Sequence, residues 1–216
     1  MAISLEKYRH IIWDWNGTLL DDAWLCVDVM NGMLKERGMP LRTLESYREL
    51  FDFPVKDYYV KLGYDFNREP FDEVGLEFIV RYNRRQAEAK LHEDVKPTLE
   101  RLRECGFRQH ILSAREQNEL VSETISAGVH AFFGLIRGLD DHFAHGKTGV
   151  GVRLLEELAE DPAGMLFIGD TLHDAAVAAE IGLDCVLIPN GHQSEQRLRS
   201  AGLPVLPSLR NLISLL

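Results

Sequence analysis

The chain alternates between short apolar runs and segments in which apolar residues recur at helical spacing. The apolar runs lack polar alternation, which favours strands that are buried on both faces of a parallel sheet. These runs cover residues 10–13, 109–112, 134–136, 165–168 and 185–188. Helical spacing separates most of them, over residues 97–105, 116–127, 148–159 and 174–181. This alternation predicts an α/β fold, a doubly wound parallel sheet with residues 11–14 in its central strand.

Residues 20–94 follow a different pattern and contain no run that predicts a buried strand. Their apolar positions predict helices over residues 20–37, 44–50, 55–62 and 71–89. Gly38 and Gly63 follow two of these segments, and Pro54 and Pro70 stand where two others begin. We therefore predict an α/β core domain of residues 1–19 and 95–216, with a helical cap domain of residues 20–94 inserted after the first strand.

Composition restricts the class of protein and its partners. The 216 residues include 24 Lys plus Arg and 34 Asp plus Glu, a formal net charge of −10. This acidic balance argues against binding to nucleic acid or to an anionic membrane surface. No apolar run is long enough for a signal peptide or a membrane span, and no pair of the three cysteines forms a CxxC motif. We expect a cytoplasmic protein with reduced thiols, a monomer by default, although a dimer stays open.

Polar residues follow the first two apolar runs at the point where ligands bind in open α/β sheets. Asp14 follows the first run and is succeeded by Asn16, Gly17 and Thr18. Ser113 follows the second run, with Ala114 directly after it. Each feature also has a purely structural interpretation, because Asp14 could end a strand in a turn and Ser113 could cap the next helix.

Lys147 and two further aspartates complete the candidate chemistry. Lys147 lies in the sequence Gly-Lys-Thr, but Asp141 replaces the first glycine of a Walker A loop, which excludes a P-loop. Asp170 and Asp174 lie four apart, directly after the fourth run. Three carboxylates at one sheet edge repel one another unless a cation lies between them, and oxygen ligands suit Mg²⁺. The structural alternatives are an exposed lysine at a helix start, a helix cap at Asp170 and a solvent-facing Asp174.

Together these motifs resemble the haloacid dehalogenase-like hydrolase superfamily, in order, spacing and position at strand ends. The helical insertion after the first motif resembles the phosphoglycolate phosphatase branch. The resemblance implies a Rossmann-like core and a phosphatase that acts on a small phosphorylated metabolite through an aspartyl-phosphate on Asp14. It also implies a Mg²⁺ cofactor and particular residue roles. Those roles are catalysis by Asp14, Asn16 and Lys147, substrate binding by Thr18, Ser113, Ala114 and Lys147, and metal binding by Asp14, the main-chain carbonyl of Asn16, Asp170 and Asp174.

Asn16 departs from the family pattern, which usually has an acid/base Asp two residues after the nucleophile. An amide donates a hydrogen bond but neither delivers nor accepts a proton at neutral pH. General acid–base catalysis contributes roughly 10²–10⁴-fold in rate. The predicted phosphatase is therefore slow, or restricted to esters with leaving groups of low pKa such as acyl and aryl phosphates.

Other interpretations of the Asn16 site stay open. Another side chain could transfer the proton, and His173, Asp21 and Asp22 are near in sequence. The site could instead bind a phosphorylated ligand without turnover, or Asn16 could deamidate to Asp. A phosphonatase-like C–P hydrolase would need a lysine from the cap; the candidates are Lys35, Lys56 and Lys61.

Several weaker features have both a functional and a structural interpretation. His142 and His145 have the spacing of a metal pair, although their surroundings favour a polar loop. His192 follows the fifth run at the expected ligand edge. Three cap arginines either reach an anionic substrate or form a solvated helix face: Arg81, Arg84 and Arg85.

Overall fold

A computed structural model describes residues 4–140 and 146–216. His142 and His145 lie outside the described residues. The strands, in chain order, are β1 (His10–Trp13), β2 (Leu20–Asp21), β3 (Lys90–Leu91), β4 (Arg108–Glu116), β5 (Phe133–Leu139), β6 (Met165–Gly169) and β7 (Asp184–Leu187). The helices of the first half are α1 (Ala23–Glu36), α2 (Leu44–Leu50), α3 (Val55–Leu62), α4 (Phe71–Arg85) and α5 (Val95–Glu104). Those of the second half are α6 (Gln117–Ser126), α7 (Lys147–Leu158), α8 (Leu172–Glu180), α9 (Glu195–Arg199) and α10 (Arg210–Ile213).

The main sheet has five parallel strands in the order β5-β4-β1-β6-β7, so β1 is central. Helices pack on both of its faces, as the alternation of strand and helix predicts. Ile11 and Leu99 of α5 belong to one buried cluster. Ile12 belongs to a second cluster, with Leu154 of α7 and Val177 of α8. Because successive side chains of a strand point to opposite faces, β1 contributes to both layers, and the predicted doubly wound fold is confirmed.

Four helices, α1 to α4, lie between the first strand and the rest of the core, and form the helical cap. The bounds predicted for α2 and α3 agree with the structure. The prediction missed a two-stranded antiparallel sheet in which Leu20 of β2 pairs with Leu91 of β3. Strands of two residues have no detectable alternation, so a periodicity search does not find them. The exact domain boundaries stay a prediction.

Within residues 4–140 and 146–216, no helix combines the length and apolar character that a membrane crossing requires. Cys26 is half-buried, Cys105 is exposed and Cys185 is buried, and all three are free thiols. The monomeric state and cytoplasmic location stay predictions.

Candidate active site

Three aspartates converge at the carboxyl edge of the main sheet. Asp14 follows β1 and Asp170 follows the neighbouring strand β6, so both side chains emerge at the same edge. Asp174 lies in the first turn of α8, directly beyond β6. All three are buried, and one carboxylate oxygen from each lies within 4.8 Å of the other two. The structure therefore brings together the three predicted metal-ligating side chains.

Lys147 is the first residue of α7 and is buried against this cluster. Its Nζ lies 2.6 Å from Asp14 Oδ1 and 2.6 Å from Asp174 Oδ1. Only 3% of the residue is exposed, so the alternative of an exposed lysine at a helix start is wrong. Although burial disfavours the ammonium, Asp14 and Asp174 raise the pKa of Lys147 above its usual value. The protonated form of Lys147 is thus favoured, which places a positive charge next to Asp14.

The three carboxylates carry more negative charge than Lys147 neutralises. Burial, only partly offset by Lys147, raises the pKa of Asp14 to about 8. Burial also raises the pKa of Asp170 to about 6. For Asp174 the attraction of Lys147 outweighs burial and lowers the pKa. Neighbouring buried carboxylates repel one another when they ionise. A small divalent cation with oxygen ligands favours the charged form of each carboxylate, so the cluster is suited to bind such a cation.

Hydrogen bonds fix the orientation of the aspartates. Thr18 Oγ1 donates to Asp170 Oδ1 at 2.9 Å, and the His192 backbone N–H donates to Asp170 Oδ2 at 2.6 Å. The Thr171 hydroxyl donates to Asp174 Oδ2 at 2.7 Å. Asp174 therefore completes a capping box on α8 instead of facing solvent as in the structural alternative. Thr18, predicted to bind substrate, contacts a predicted metal ligand.

Gly17 and Gly191 allow two loops to approach Asp170 closely. Gly17 has a φ of +78°, and a Cβ there would collide with the Asp170 carboxylate. A Cβ on Gly191 would collide with the same carboxylate and with the Cα of Gly17. The role of Gly191 was missed, because a lone glycine after a strand is no signal for a contact over 20 residues away.

Ser113 and Ala114 lie within β4, which extends beyond the predicted strand end. The Ser113 Oγ accepts a hydrogen bond from the Arg115 N–H at 3.1 Å. Ser113 therefore does not act as the helix cap of the structural alternative; the side chain of Glu116 caps α6 by accepting from Glu119 N. Ser113 and Ala114 line the same cavity as Asp14 and Lys147.

The comparison with known proteins agrees with this geometry. The model of the family described as "Haloacid dehalogenase-like hydrolase" matches residues 11–188. The chain belongs to the haloacid dehalogenase-like hydrolases. Its sequence is 26% identical to a phosphoglycolate phosphatase of Rhodobacter capsulatus over 187 residues, which cover 85% of each protein. Its fold matches a haloacid dehalogenase-like hydrolase of Streptococcus pneumoniae with a TM-score of 0.83 and 20% identity, over 97% of this chain and 98% of that one.

The relatives of this haloacid dehalogenase-like chain are named for different activities. The tyrosine-protein kinase PtkA of Mycobacterium tuberculosis is 24% identical over 189 residues, which cover 87% of this chain and 64% of that protein. Relatives named as phosphatases, such as the Rhodobacter capsulatus protein, support the assignment of the chain to the phosphoric monoester hydrolases of the family.

Asn16, the departure from the family pattern, is held by two residues at the cap. Its amide nitrogen donates to Asp22 Oδ2 at 2.9 Å and to the Tyr82 hydroxyl oxygen at 3.1 Å. Tyr82 in turn donates its hydroxyl proton to Asp22 Oδ2 at 2.8 Å. The second oxygen of Asp22 accepts from the Gly17 N–H at 2.9 Å. Asn16 thus links the loop after β1 to α4 of the cap.

Asp22 and His192 form a buried ion pair beside Asn16, with His192 Nε2 3.4 Å from Asp22 Oδ1. His192 Nδ1 lies 2.8 Å from the hydroxyl oxygen of Tyr47, so both ring nitrogens face a partner. Burial opposes charge on both side chains. Their mutual attraction nevertheless lowers the pKa of Asp22 to about 2 and raises the pKa of His192 to about 9.

The three predicted substitutes for the acid/base Asp lie in different places. Asp21 is exposed on β2, away from the cavity lining. Asp22 is the buried carboxylate described above. His173 lines the cavity, and its ring stacks on Phe53 with 4.4 Å between the ring centroids. Its buried Nε2 has no hydrogen-bond partner among the described residues.

One cavity of about 190 Å³ joins the aspartate cluster to the inner wall of the cap. Asp14, Asp170, Asp174 and Lys147 lie at its core end. Helices α1 to α4 all contribute to its lining, so the space beside Asp14 is continuous with the inner wall of the cap.

Proposed function

We propose that the protein is a Mg²⁺-dependent phosphatase that acts on a small phosphorylated metabolite through an aspartyl-phosphate on Asp14. The observation that carries this proposal is the position of Lys147 Nζ, 2.6 Å from both Asp14 and Asp174 in the buried cluster that includes Asp170. A buried carboxylate beside a fixed cation and two further carboxylates is suited to phosphoryl transfer, which depends on positioning and charge stabilisation.

Each residue has its own role in the first phosphoryl transfer, from the ester to Asp14. Asp14 attacks phosphorus, a new bond forms between its carboxylate oxygen and phosphorus, and the ester P–O bond breaks. Lys147 offsets the charge of the phosphoryl oxygens, and Ser113 donates its hydroxyl proton to one of them. Thr18 orients Asp170 through the bond at 2.9 Å.

Asp14, Asp170 and Asp174 would hold Mg²⁺, with the main-chain carbonyl of Asn16 as a further ligand. When bound, Mg²⁺ supplies positive charge that lets the phosphate approach Asp14. A water molecule then attacks the aspartyl-phosphate and releases inorganic phosphate.

Asn16 slows both proton transfers of this scheme, the one to the leaving alcohol and the one from the attacking water. The amide donates hydrogen bonds to Asp22 and Tyr82, but it cannot give up a proton to the leaving alcohol. It also cannot take a proton from the attacking water. We therefore expect turnover about 10²–10⁴-fold below that of an enzyme with a carboxylate at this position. Esters whose leaving group needs no proton are favoured.

The C–P hydrolase alternative has no support from the described residues. The three candidate cap lysines, Lys35, Lys56 and Lys61, are exposed, and none of them lines the cavity beside Asp14. A lysine that forms a Schiff base with substrate has to reach the reacting carbon. The other alternative is a protein that binds a phosphorylated ligand without turnover. Such a protein would bind a phosphate ester and release no phosphate from it.

Metal removal tests the proposal. Dialysis against EDTA should abolish hydrolysis of 4-nitrophenyl phosphate, and Mg²⁺ should restore it, while Ca²⁺ with its larger coordination shell should not. Asp170→Asn should raise the Mg²⁺ concentration needed for half-maximal rate by at least about 10-fold, because the loss of even an outer-shell partner of a metal ligand costs about 10–100-fold in affinity. Asp72→Asn, at an exposed carboxylate of α4, serves as the matched control. Full activity in EDTA would contradict the proposed metal dependence.

A further inference from the structure

The cap end of the cavity is an aromatic chamber, defined here by Tyr47, Phe51, Tyr58, Phe78, Ile79 and Tyr82. Its rings pack on one another: Tyr47 stacks on Phe51 with centroids 5.0 Å apart, and meets Tyr58 edge-on at 5.7 Å. Phe78 stacks on Tyr82 with centroids 6.1 Å apart. Interdigitated rings of this kind form a pre-shaped apolar wall.

The chamber offers no positive charge to a second anionic group of a substrate. In the described part of the cap, neither a lysine nor an arginine lines the cavity. The core contributes Lys147, His192 and Arg115 to the lining, but each is already paired with carboxylates. Lys147 contacts Asp14 and Asp174, and His192 contacts Asp22. The Arg115 guanidinium lies 2.9 Å from both Glu119 and Glu123 and 5.1 Å from the centroid of the Tyr82 ring. Arg115 is therefore already neutralised. A carboxylate placed in the chamber would lose its hydration without gaining a counter-ion, which is costly.

Of the three cap arginines considered for an anionic substrate, Arg84 is exposed, and Arg81 and Arg85 are paired with acids outside the cavity. Arg81 forms ion pairs with Glu36 and Glu77, and Arg85 with Asp28 and Glu88. These partners lie on helices of the cap and at the end of α4, and the cavity lining includes none of these arginines or acids. The structure thus favours the interpretation of this arginine run as a solvated helix face.

Tyr58 leaves one polar atom of the chamber unsatisfied. The residue is 2% exposed, and its hydroxyl has no hydrogen-bond partner within residues 4–140 and 146–216. Buried polar atoms are nearly always hydrogen-bonded in native proteins. Because the hydroxyl oxygen has almost no accessible surface, Tyr58 presents its apolar ring to the chamber and not its hydroxyl.

We propose that the leaving group of the substrate is an uncharged aromatic alcohol, so that the enzyme hydrolyses aryl phosphate monoesters whose ring occupies the aromatic chamber. This inference rests on the proposed phosphatase function. The cavity of about 190 Å³ runs from the aspartate cluster into the chamber, so a phosphoryl group at Asp14 and a ring in the chamber would occupy one continuous space.

The chemistry at Asn16 points to the same class of substrate. When Asp14 attacks phosphorus, the P–O bond to the ring breaks and its electron pair leaves on the phenolate oxygen. Phenols ionise near pH 10, as tyrosine does, so a phenolate departs without a proton from the enzyme and takes one from water afterwards. The apolar chamber and the amide at position 16 therefore select the same ester.

The test compares phenyl phosphate with 4-carboxyphenyl phosphate, which differ by one negative charge on the same ring. The carboxylate hardly changes the acidity of the phenol, so a difference in rate between the two esters reports on how the chamber accepts the charge. The readout is kcat/KM with Mg²⁺ present, because it covers the steps through the first transfer. We expect phenyl phosphate to be favoured at least 10-fold, and 2-phosphoglycolate to be a poorer substrate than phenyl phosphate.

A charge introduced into the chamber should change this preference. Ile79→Arg places a cation on the lining of α4 and should shift the ratio toward 4-carboxyphenyl phosphate by 10-fold or more. Val80→Arg is the matched control, because Val80 is exposed on the same helix and does not line the cavity; it should leave the ratio unchanged.

The failures of the two proposals are distinguishable. If wild-type protein with Mg²⁺ releases phosphate from none of these esters, nor from acetyl phosphate, the proposed phosphatase function itself is overturned, and this inference with it. If the protein is an active phosphatase but hydrolyses 4-carboxyphenyl phosphate or 2-phosphoglycolate as well as phenyl phosphate, only the aromatic leaving group is overturned. An unchanged ratio in Ile79→Arg would also count against the chamber.

Discussion

The double variant Asn16→Asp/Asp22→Asn should hydrolyse alkyl phosphate esters about 10²-fold faster than the wild-type protein, in both kcat and kcat/KM. The exchange puts a carboxyl group where the family usually has its acid/base Asp. It also keeps an amide–carboxylate pair at the position where the Asn16 amide now donates to Asp22 at 2.9 Å. Steady-state rates of phosphate release from an alkyl ester such as glycerol 3-phosphate measure the gain.

The single variants serve as controls for this exchange. Asn16→Asp alone brings two buried carboxyl groups together. They would have to share one proton, which disturbs the hydrogen-bonded arrangement that Asn16 and Asp22 have in the wild-type protein. We expect a smaller gain in rate and a lower free energy of unfolding than in the double variant. Asp22→Asn alone should give no gain. A double variant no faster than wild type, although folded and able to bind Mg²⁺, would contradict the assigned consequence of Asn16.

A burst of one equivalent of 4-nitrophenol per enzyme should precede slow turnover when wild-type protein is mixed with 4-nitrophenyl phosphate and Mg²⁺. The first transfer needs no acid, because 4-nitrophenolate is a good leaving group. Hydrolysis of the aspartyl-phosphate does need a base for the attacking water, and Asn16 provides none. The second step should therefore be slower by about 10²–10⁴-fold than with a carboxylate at this position. Stopped-flow absorbance resolves the two phases.

Two variants test the origin of the burst. Asp14→Asn should abolish both the burst and turnover, since the attacking carboxylate is lost while the size of the side chain is retained. Asn16→Asp/Asp22→Asn should accelerate the slow phase and reduce the burst amplitude. Linear release of 4-nitrophenol by wild-type protein from the first turnover onward would show that hydrolysis of an intermediate does not limit the rate.

Local sequence patterns predicted much of the fold because the elements are long and strongly patterned. Strands β1, β6 and β7 are largely buried on both faces and contain continuous apolar runs. Helices α2 and α3 are delimited by residues with clear terminal preferences, such as Thr43 at an N-cap and Gly63 at a left-handed C-cap. The cluster of Asp14, Asp170 and Asp174 follows from the rule that parallel strands end at one edge.

Contacts between the loops of the core and the helices of the cap could not be predicted from one sequence. The amide of Asn16 meets Tyr82, 66 residues away, and only the packing of α4 over the loop after β1 brings them together. His192 was predicted only as a residue at the ligand edge, and its pairing with Asp22 depends on the geometry of two loops. The aromatic chamber likewise arises from helices whose mutual arrangement has no local signal.

The identity of the residue that carries the phosphoryl group is the central claim, and trapping that group tests it most directly. Wild-type protein mixed with 4-nitrophenyl phosphate and Mg²⁺ is quenched in acid within the burst phase and digested. Peptide mass spectrometry should then find one phosphoryl group on Asp14, which borohydride reduction converts to homoserine at that position. Asp14 without phosphate during active turnover, or a phosphoryl group on another residue, would contradict the proposed mechanism.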